Sequence, residues 1–69
     1  MSPVKLRLKE LREEAGLTQA EVSAETGLHV VAISRMENGH TKEIAFTTIG
    51  ALCRVLKVTP GDLFVRTRR

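Results

Sequence analysis

T-Q-A-E-V-S-A-E-T-G-L-H-V-V-A-I-S-R-M-E-N-G, residues 18–39, is the stretch that decides the fold of this 69-residue chain. Thr18, followed three residues later by Glu21, is a capping box, in which each side chain satisfies a backbone N–H at the start of a helix. Gly27 tolerates a positive φ, so the helix can end there at once. The stretch therefore predicts two short helices that are joined by a tight corner.

The second of these two helices has two chemically different sides. The pattern places the first helix at residues 19–26 and the second at residues 30–37. In the second helix, Ile33 and Met36 are three residues apart and share an inward face. By the same period the opposite side carries Val30, Val31, Ser34, Arg35 and Asn38. Two helices held nearly at right angles, with one face of the second left free, form a helix-turn-helix.

The residues before the corner predict a first helix at residues 6–15, which Gly16 ends. Residues 4–8 alternate strictly between apolar and basic side chains, and a period of two is typical of a strand. The same residues can equally be the irregular start of the helix, because Leu8 and Leu11 stand at helical spacing. The sequence alone leaves both interpretations open.

Two more helices are predicted after the corner. A polar loop leads to a helix at residues 47–56, whose apolar residues recur at i, i+3, i+4 and i+7 along one stripe. Its start has no residue with a capping side chain. Thr59 as N-cap, Pro60 at the first helical position and Asp62 two residues later indicate a short fifth helix at residues 60–64.

The chain end, residues 63–67, alternates between apolar and polar side chains. It is either a strand that pairs with residues 4–8, within one chain or between two, or a frayed basic tail. The predicted fold class is all-α, a compact five-helix domain over residues 1–69, with short terminal β-strands left open. The predicted core consists of Leu8, Leu11, Leu17, Val22, Leu28, Ile33, Met36, Ile44, Phe46, Ile49, Leu52, Leu56, Val58 and Leu63.

Composition narrows the class of function. Eleven Lys and Arg against eight Asp and Glu give a net charge of +3 and a pI near 9.6, which suits a polyanionic partner. The chain has no signal-peptide pattern and no long apolar run, so we expect a cytoplasmic protein without membrane contact. Cys53 lies on the apolar stripe of the fourth helix and is interpreted as a small core residue. No metal-ligand cluster, phosphate loop or nucleophile–base pair stands out, so we expect no enzyme activity, metal or cofactor.

Several segments, taken in order, resemble a known family. They are L-K-E-L-R-E-E-A-G at residues 8–16, L-T-Q-A-E-V-S at 17–23, T-G-L at 26–28, A-I-S-R-M-E-N-G at 32–39 and L-C-R-V-L-K-V-T-P-G-D-L-F at 52–64. This set resembles the Cro/XRE-type, lambda-repressor-like helix-turn-helix domains of bacterial and phage regulators. The resemblance implies a small transcriptional regulator, expected to be a repressor, that binds a palindromic double-stranded DNA operator as a homodimer.

The resemblance also implies which residues touch DNA. It places base contacts, made in the major groove by the helix at residues 30–37, at His29, Val30, Val31, Ser34 and Arg35. It places phosphate contacts at Gln19, Asn38, His40, Thr41 and Lys42. The alternatives are an ordinary polar residue for Gln19 and a solvated turn for the residues after the helix.

Four of the base-contact positions carry a specific expectation, and three of these four depart from the family pattern. Arg35 can bond guanine O6 and N7 in a bidentate way. Val30 and Val31 stand where the family usually has polar residues, and valines can only touch thymine methyl groups or shape a groove. Alternatively, a partner chain or the N-terminal segment buries them. His29 stands where Ser, Thr or Asp usually caps the helix, and we expect it to cap poorly.

One structural pair is implied as well. The family often joins an arginine of the first helix to the glutamate that ends the recognition helix, which here are Arg12 and Glu37. If the pair forms, removal of either partner leaves a partly buried charge unpaired. The alternative is two unrelated surface charges.

The sequence is also compatible with two other functions. The chain can instead be a protein-interaction module, such as an antitoxin-like partner that binds DNA only nonspecifically. It can also serve dimerisation through its terminal segments, again with nonspecific DNA contact. Operator selection and the salt dependence of binding separate these possibilities.

Overall fold

Helices make up most of the chain, and a small sheet joins its two ends. The computed structural model describes residues 4–66. Its five helices and one short two-stranded sheet confirm the predicted fold class. In chain order the elements are β1 (Val4–Leu6), α1 (Leu8–Glu14), α2 (Gln19–Thr26), α3 (Val30–Glu37), α4 (Phe46–Leu56), α5 (Pro60–Leu63) and β2 (Phe64–Arg66).

The two alternating ends of the chain pair with each other. β1 and β2 run antiparallel, with Leu6 opposite Phe64 and Lys5 opposite Val65. Leu6 and Phe64 are half-buried and pack against the core. Both ends of the described chain therefore form short strands, and these strands pair within one chain. Thr67, the last residue of the predicted tail strand, lies outside the described residues.

This pairing corrects the predicted ends of two helices. The backbone N–H of Arg7 donates to the carbonyl of Leu63 at 2.8 Å, which draws the start of the chain away from α1. α1 therefore begins at Leu8 and ends at Glu14, and the predicted helix at residues 6–15 was too long. α5 likewise ends at Leu63, because Phe64 belongs to β2.

The corner between α2 and α3 is held by local hydrogen bonds. The Thr18 hydroxyl accepts from the Glu21 N–H at 3.0 Å, and the Glu21 carboxylate accepts from the Thr18 N–H at 2.8 Å. Gly27 ends α2 with φ of 80° and donates its N–H to the Ser23 carbonyl. The Ser23 hydroxyl donates across the corner to the Leu28 carbonyl at 2.5 Å. These bonds fix the direction in which α3 leaves the corner.

The last two helices begin in different ways. α4 starts at Phe46, one residue earlier than predicted, and its N-cap Ala45 makes no side-chain capping bond. α5 has a complete capping box, in which the Asp62 N–H donates to the Thr59 hydroxyl at 3.3 Å and the Thr59 N–H donates to the Asp62 carboxylate at 3.1 Å. Within residues 4–66, no helix combines the length and apolar character needed to cross a bilayer.

A thin apolar core holds the helices together. Its buried residues are Leu8, Leu11, Val22, Ile33, Met36, Leu52, Cys53, Leu56 and Leu63. Half-buried around them are Leu17, Leu28, Ile44, Ile49 and Val58. All of these except Cys53 belong to the predicted apolar core, and Cys53 is buried as expected.

Phe46 is the exception, because its side chain is 90% exposed and the prediction that it lies in the core was wrong. Side chains on a helix tilt toward its N-terminus. Phe46 is the first residue of α4, so its ring extends past the end of the helix and beyond the stripe that the core covers.

Candidate nucleic-acid interface

α3 presents one side to the core and the other to solvent. Ile33 is fully buried and Met36 nearly so, and α3 packs against α1 and α2. Val30 is 38% exposed and Val31 54% exposed. The same side carries Ser34, Arg35 and Asn38. Among residues 4–66 the N-terminal segment does not bury the two valines, because β1 pairs with β2 instead.

His29 begins α3 as a working cap, contrary to the expectation from sequence. Its Nδ1 accepts a hydrogen bond from the backbone N–H of Val31 at 3.2 Å. An imidazole nitrogen can accept only where it carries no hydrogen, so the proton of this ring lies on Nε2. That N–H is directed away from the capping bond and is available as a donor at the N-terminal end of α3.

A partly buried network of three side chains joins α3 to α1 and α2. Arg12 Nε donates to Glu37 Oε2 at 2.6 Å, and Arg12 Nη2 donates to Glu37 Oε1 at 3.1 Å. Gln19 Nε2 donates to the same Oε1 at 2.8 Å. The remaining Arg12 nitrogen, Nη1, donates to the Leu17 carbonyl at 2.9 Å. The side chains of Arg12 and Glu37 are only 11% and 2% exposed, so this is an interior ion pair rather than two surface charges.

The charge state of this network follows from its hydrogen bonds. Burial by itself would raise the pKa of Glu37, but the hydrogen bonds from Arg12 and Gln19 outweigh it and hold that pKa below its usual value. The hydrogen bond to Glu37 in turn raises the pKa of Arg12. Glu37 is the one acidic residue of α3, so the solvent side of this helix has no unpaired carboxylate that would repel phosphate.

The segment after α3 is anchored to the end of the helix. Gly39 adopts φ of 76°, and the His40 N–H donates to the Arg35 carbonyl at 2.9 Å. His40 and Lys42 are exposed, whereas Thr41 is half-buried. The Asn38 amide donates to the Ser34 hydroxyl at 3.4 Å, so these two polar side chains meet on the open side of α3.

The predicted contact residues thus lie at three places: along α3, after its C-terminal end, and at the start of α2. His29, Val30, Val31, Ser34 and Arg35 lie along α3 or at its start, and Asn38, His40, Thr41 and Lys42 follow at its other end. Gln19 lies at the start of α2, and its amide is engaged with Glu37. An amide carries two N–H groups and an oxygen, so Gln19 retains polar atoms for a further contact.

Sequence reasoning missed two features of this region. It did not foresee the bond from Gln19 to Glu37, because eighteen residues separate them and only the packing of α2 on α3 brings them together. It also underrated His29, although the position just before α3 was itself the signal for a cap.

Outside this face, the described residues include one buried thiol and no cluster of metal ligands. Burial raises the pKa of the Cys53 thiol, which makes the reactive thiolate form scarcer. Within residues 4–66, no three or more His, Cys, Asp or Glu side chains come together in a way that could hold a metal ion.

Two comparisons with known proteins show what this chain is similar to. The Cro/C1-type family model described as Helix-turn-helix matches residues 8–63. A relative in Bacillus subtilis (strain 168), described as the uncharacterized HTH-type transcriptional regulator YozG, is 32% identical over 47 residues. The aligned segment is 68% of this chain and 56% of that protein, so the match spans little more than half of the relative.

Proposed function

This chain belongs to the helix-turn-helix family whose model spans residues 8–63, and we propose that it is a small transcriptional regulator that binds double-stranded DNA sequence-specifically in the cytoplasm. α3 lies in the major groove in this proposal. One observation carries it: an exposed polar and apolar side of α3 is held rigidly by the buried Arg12–Glu37 pair behind it. A recognition helix must not rock, because base contacts require fixed donor positions.

Arg35 is the central polar reader in this proposal. It is exposed on the free side of α3, and its guanidinium fork matches O6 and N7 of guanine. Such a bidentate pair discriminates against a wrong base by about 1–3 kcal/mol. Ser34 and the Nε2–H of His29 supply additional donors along the same side.

The phosphate contacts surround this reader. Lys42 is the exposed cation that follows α3, with His40 and Thr41 beside it. Gln19 stands at the first position of α2, where unpaired helix N–H groups also favour an anion. Contacts of this kind set the position of the protein on DNA without reading sequence.

A homodimer on a palindromic operator completes the proposal. One α3 reads one half-site, and two-fold symmetric copies read half-sites about one helical turn apart. A domain that occupies promoter DNA in this way excludes other proteins from it, so we propose that it acts as a repressor.

One observation favours a second candidate, a protein-interaction module. Phe46 is 90% exposed, and aromatic residues are enriched in protein interfaces relative to the rest of the surface. In this case the chain would be an antitoxin-like protein that binds its protein partner through this ring. Its contact with DNA would then be only nonspecific.

The deciding experiment selects bound sites from a random duplex pool and then measures affinity for the selected site at several salt concentrations. We expect a palindromic consensus and a linear fall of log affinity with log salt, about 0.9 per neutralised phosphate. Arg35→Ala should relax the consensus at one base pair per half-site. Lys42→Ala should weaken binding to all sequences and lower the slope by about 0.9 per protomer.

Arg54→Ala is the matched control, because Arg54 is an exposed cation of α4 outside the proposed contact set. It should leave the consensus unchanged. Affinity that is insensitive to salt and to both Arg35→Ala and Lys42→Ala would refute DNA recognition and favour the protein-interaction module.

A further inference from the structure

Two exposed apolar side chains stand at the N-terminal end of α3. Val30 and Val31 form its first turn, and Val31 is more than half exposed. We propose that this valine pair reads the 5-methyl groups of thymine, so that operator recognition depends on those methyl groups. This inference rests on the proposed DNA-binding function and adds the base chemistry that the apolar end of α3 selects.

The chemistry of the side chains points to thymine. Valine has no donor or acceptor, so it cannot read the hydrogen-bonding edge of any base. In the major groove the C5-methyl of thymine is the apolar group that a base pair presents, and cytosine lacks it. Contact between this methyl and an exposed valine removes apolar surface of both from water, which favours thymine over cytosine or uracil.

The pair is also held in place before any DNA arrives. The Val31 N–H is bound by His29 Nδ1 at 3.2 Å, and valine is restricted to few rotamers in a helix. At its other end α3 is fixed by Glu37, which accepts from both Arg12 and Gln19. The methyl contact therefore costs little ordering on binding. His29 acts here as a positioning residue.

The spacing to Arg35 predicts where the thymine lies. Val31 and Arg35 are four residues apart on one face, so their Cβ atoms are about 5–6 Å apart. Successive base pairs are separated by about 3.4 Å along the duplex. We therefore expect a methyl-dependent thymine within about two base pairs of the guanine that Arg35 binds.

A protein partner fits this patch less well than thymine does. A standard protein interface buries roughly 800 Å² per partner, and two partly exposed valines supply only a small part of that area. The charges around the pair favour a polyanion, because Arg35 and Lys42 are exposed while the carboxylate of Glu37 is buried and paired.

The test replaces thymine by uracil, one position at a time, in both half-sites of the operator obtained by selection. The readout is the ratio of the dissociation constants for the uracil and thymine duplexes at fixed salt. We expect one or two positions per half-site at which this ratio is about four, the value for burial of one methyl group. In the variant that combines Val30→Ala and Val31→Ala, the ratio should fall to about one.

Two controls accompany this measurement. Val65→Ala removes a valine of comparable exposure, 36%, from β2, and it should keep the full methyl ratio even if the overall affinity changes. Alanine has a higher helix propensity than valine, so the double variant should keep its fold, which its thermal unfolding curve checks.

The outcomes distinguish failure of the proposed DNA-binding function from failure of the thymine-methyl inference. Selection that yields no consensus refutes the proposed function itself. A consensus without thymine near the guanine, or one in which uracil is neutral everywhere, overturns the methyl inference and leaves the DNA-binding function standing. A methyl ratio that persists unchanged in the double valine variant also overturns the inference, because other residues would then read the methyl groups.

Discussion

Glu37 connects three helices through one carboxylate. It accepts hydrogen bonds from Arg12 on α1 and Gln19 on α2 while it ends α3. A buried ion pair contributes little net stability compared with apolar residues of the same size. Loss of one partner strongly destabilises the fold, because the other charge then stays buried without a compensating charge.

Glu37→Gln should therefore destabilise the fold by about 3 kcal/mol, the lower end of the range for a broken buried pair. The glutamine amide group would also point an N–H donor at the donors of Arg12 and Gln19. Urea unfolding followed by circular dichroism measures the change. Glu10→Gln is the control, because Glu10 pairs with Arg7 at the surface and its side chain is 57% exposed. A loss that is equally small in both variants would show that the buried pair does not hold α3.

His29→Asp should separate fold stability from DNA binding. Aspartate is a better N-cap than histidine, and its charge is favourable at a helix N-terminus, so we expect a gain of about 0.5–1 kcal/mol. The same carboxylate would face DNA phosphates, and affinity should fall by roughly tenfold or more. Thermal unfolding and duplex titration measure the two effects. His29→Ser is the control, since it caps without a charge and should lose less affinity. A carboxylate at position 29 that left affinity intact would place α3 away from DNA.

At the scale of elements, the corner depends on the backbone of Gly27. Its φ of 80° is in the left-handed region, where a Cβ is unfavourable although no atom lies within 4 Å of the place it would occupy. Gly50 differs, because it lies inside α4 with no positive φ and open space around it. Replacement by alanine should therefore change the free energy of unfolding in opposite directions at Gly27 and Gly50.

Gly27→Ala should destabilise the fold by about 1–2 kcal/mol, because alanine is strained in the left-handed region. Gly50→Ala should stabilise it by about 0.5–1 kcal/mol through lower backbone entropy in the unfolded chain and better helix propensity. Urea midpoints of both variants measure the difference. Equal signs for the two substitutions would contradict the assignment of the corner to a left-handed glycine.

At the scale of the whole molecule, stability comes from a small core. A chain of 69 residues buries a limited share of its surface, so a few kcal/mol are a large part of its free energy of unfolding. Electrostatic changes at one buried carboxylate are therefore visible in global unfolding.

Acid should destabilise the protein through Glu37. Its pKa is lower in the folded state than in the unfolded chain, so its contribution is fully present above the ordinary glutamate value near 4.5 and is lost as pH falls toward the folded pKa. Urea midpoints at about pH 7 and pH 3 should differ more in the wild type than in Glu37→Gln. Hydrogen bonds from Thr59 also lower the pKa of Asp62, but this group is present in both proteins and cancels in the comparison. An equal acid loss in both would assign the effect to other carboxylates.

Sequence by itself determined the elements whose signals are local. The capping boxes at Thr18 and Thr59 and the hydrogen bond of the left-handed Gly27 join residues three or four apart, so these hydrogen bonds follow from residue order alone. The helical period of about 3.6 residues, which places Val31 on the exposed side of α3, is likewise a local property of the sequence. The period also places Ser34 and Arg35 on the free side of α3, whereas the assignment of DNA contacts to particular residues came from the family resemblance.

Tertiary structure alone decided how far each element extends and what lies behind α3. It paired β1 with β2, which shortened α1, and it left Phe46 outside the core. It also brought Gln19 to Glu37. The reason is physical: these outcomes depend on which distant residues meet when the helices pack, and neither propensity nor period along the chain contains that information.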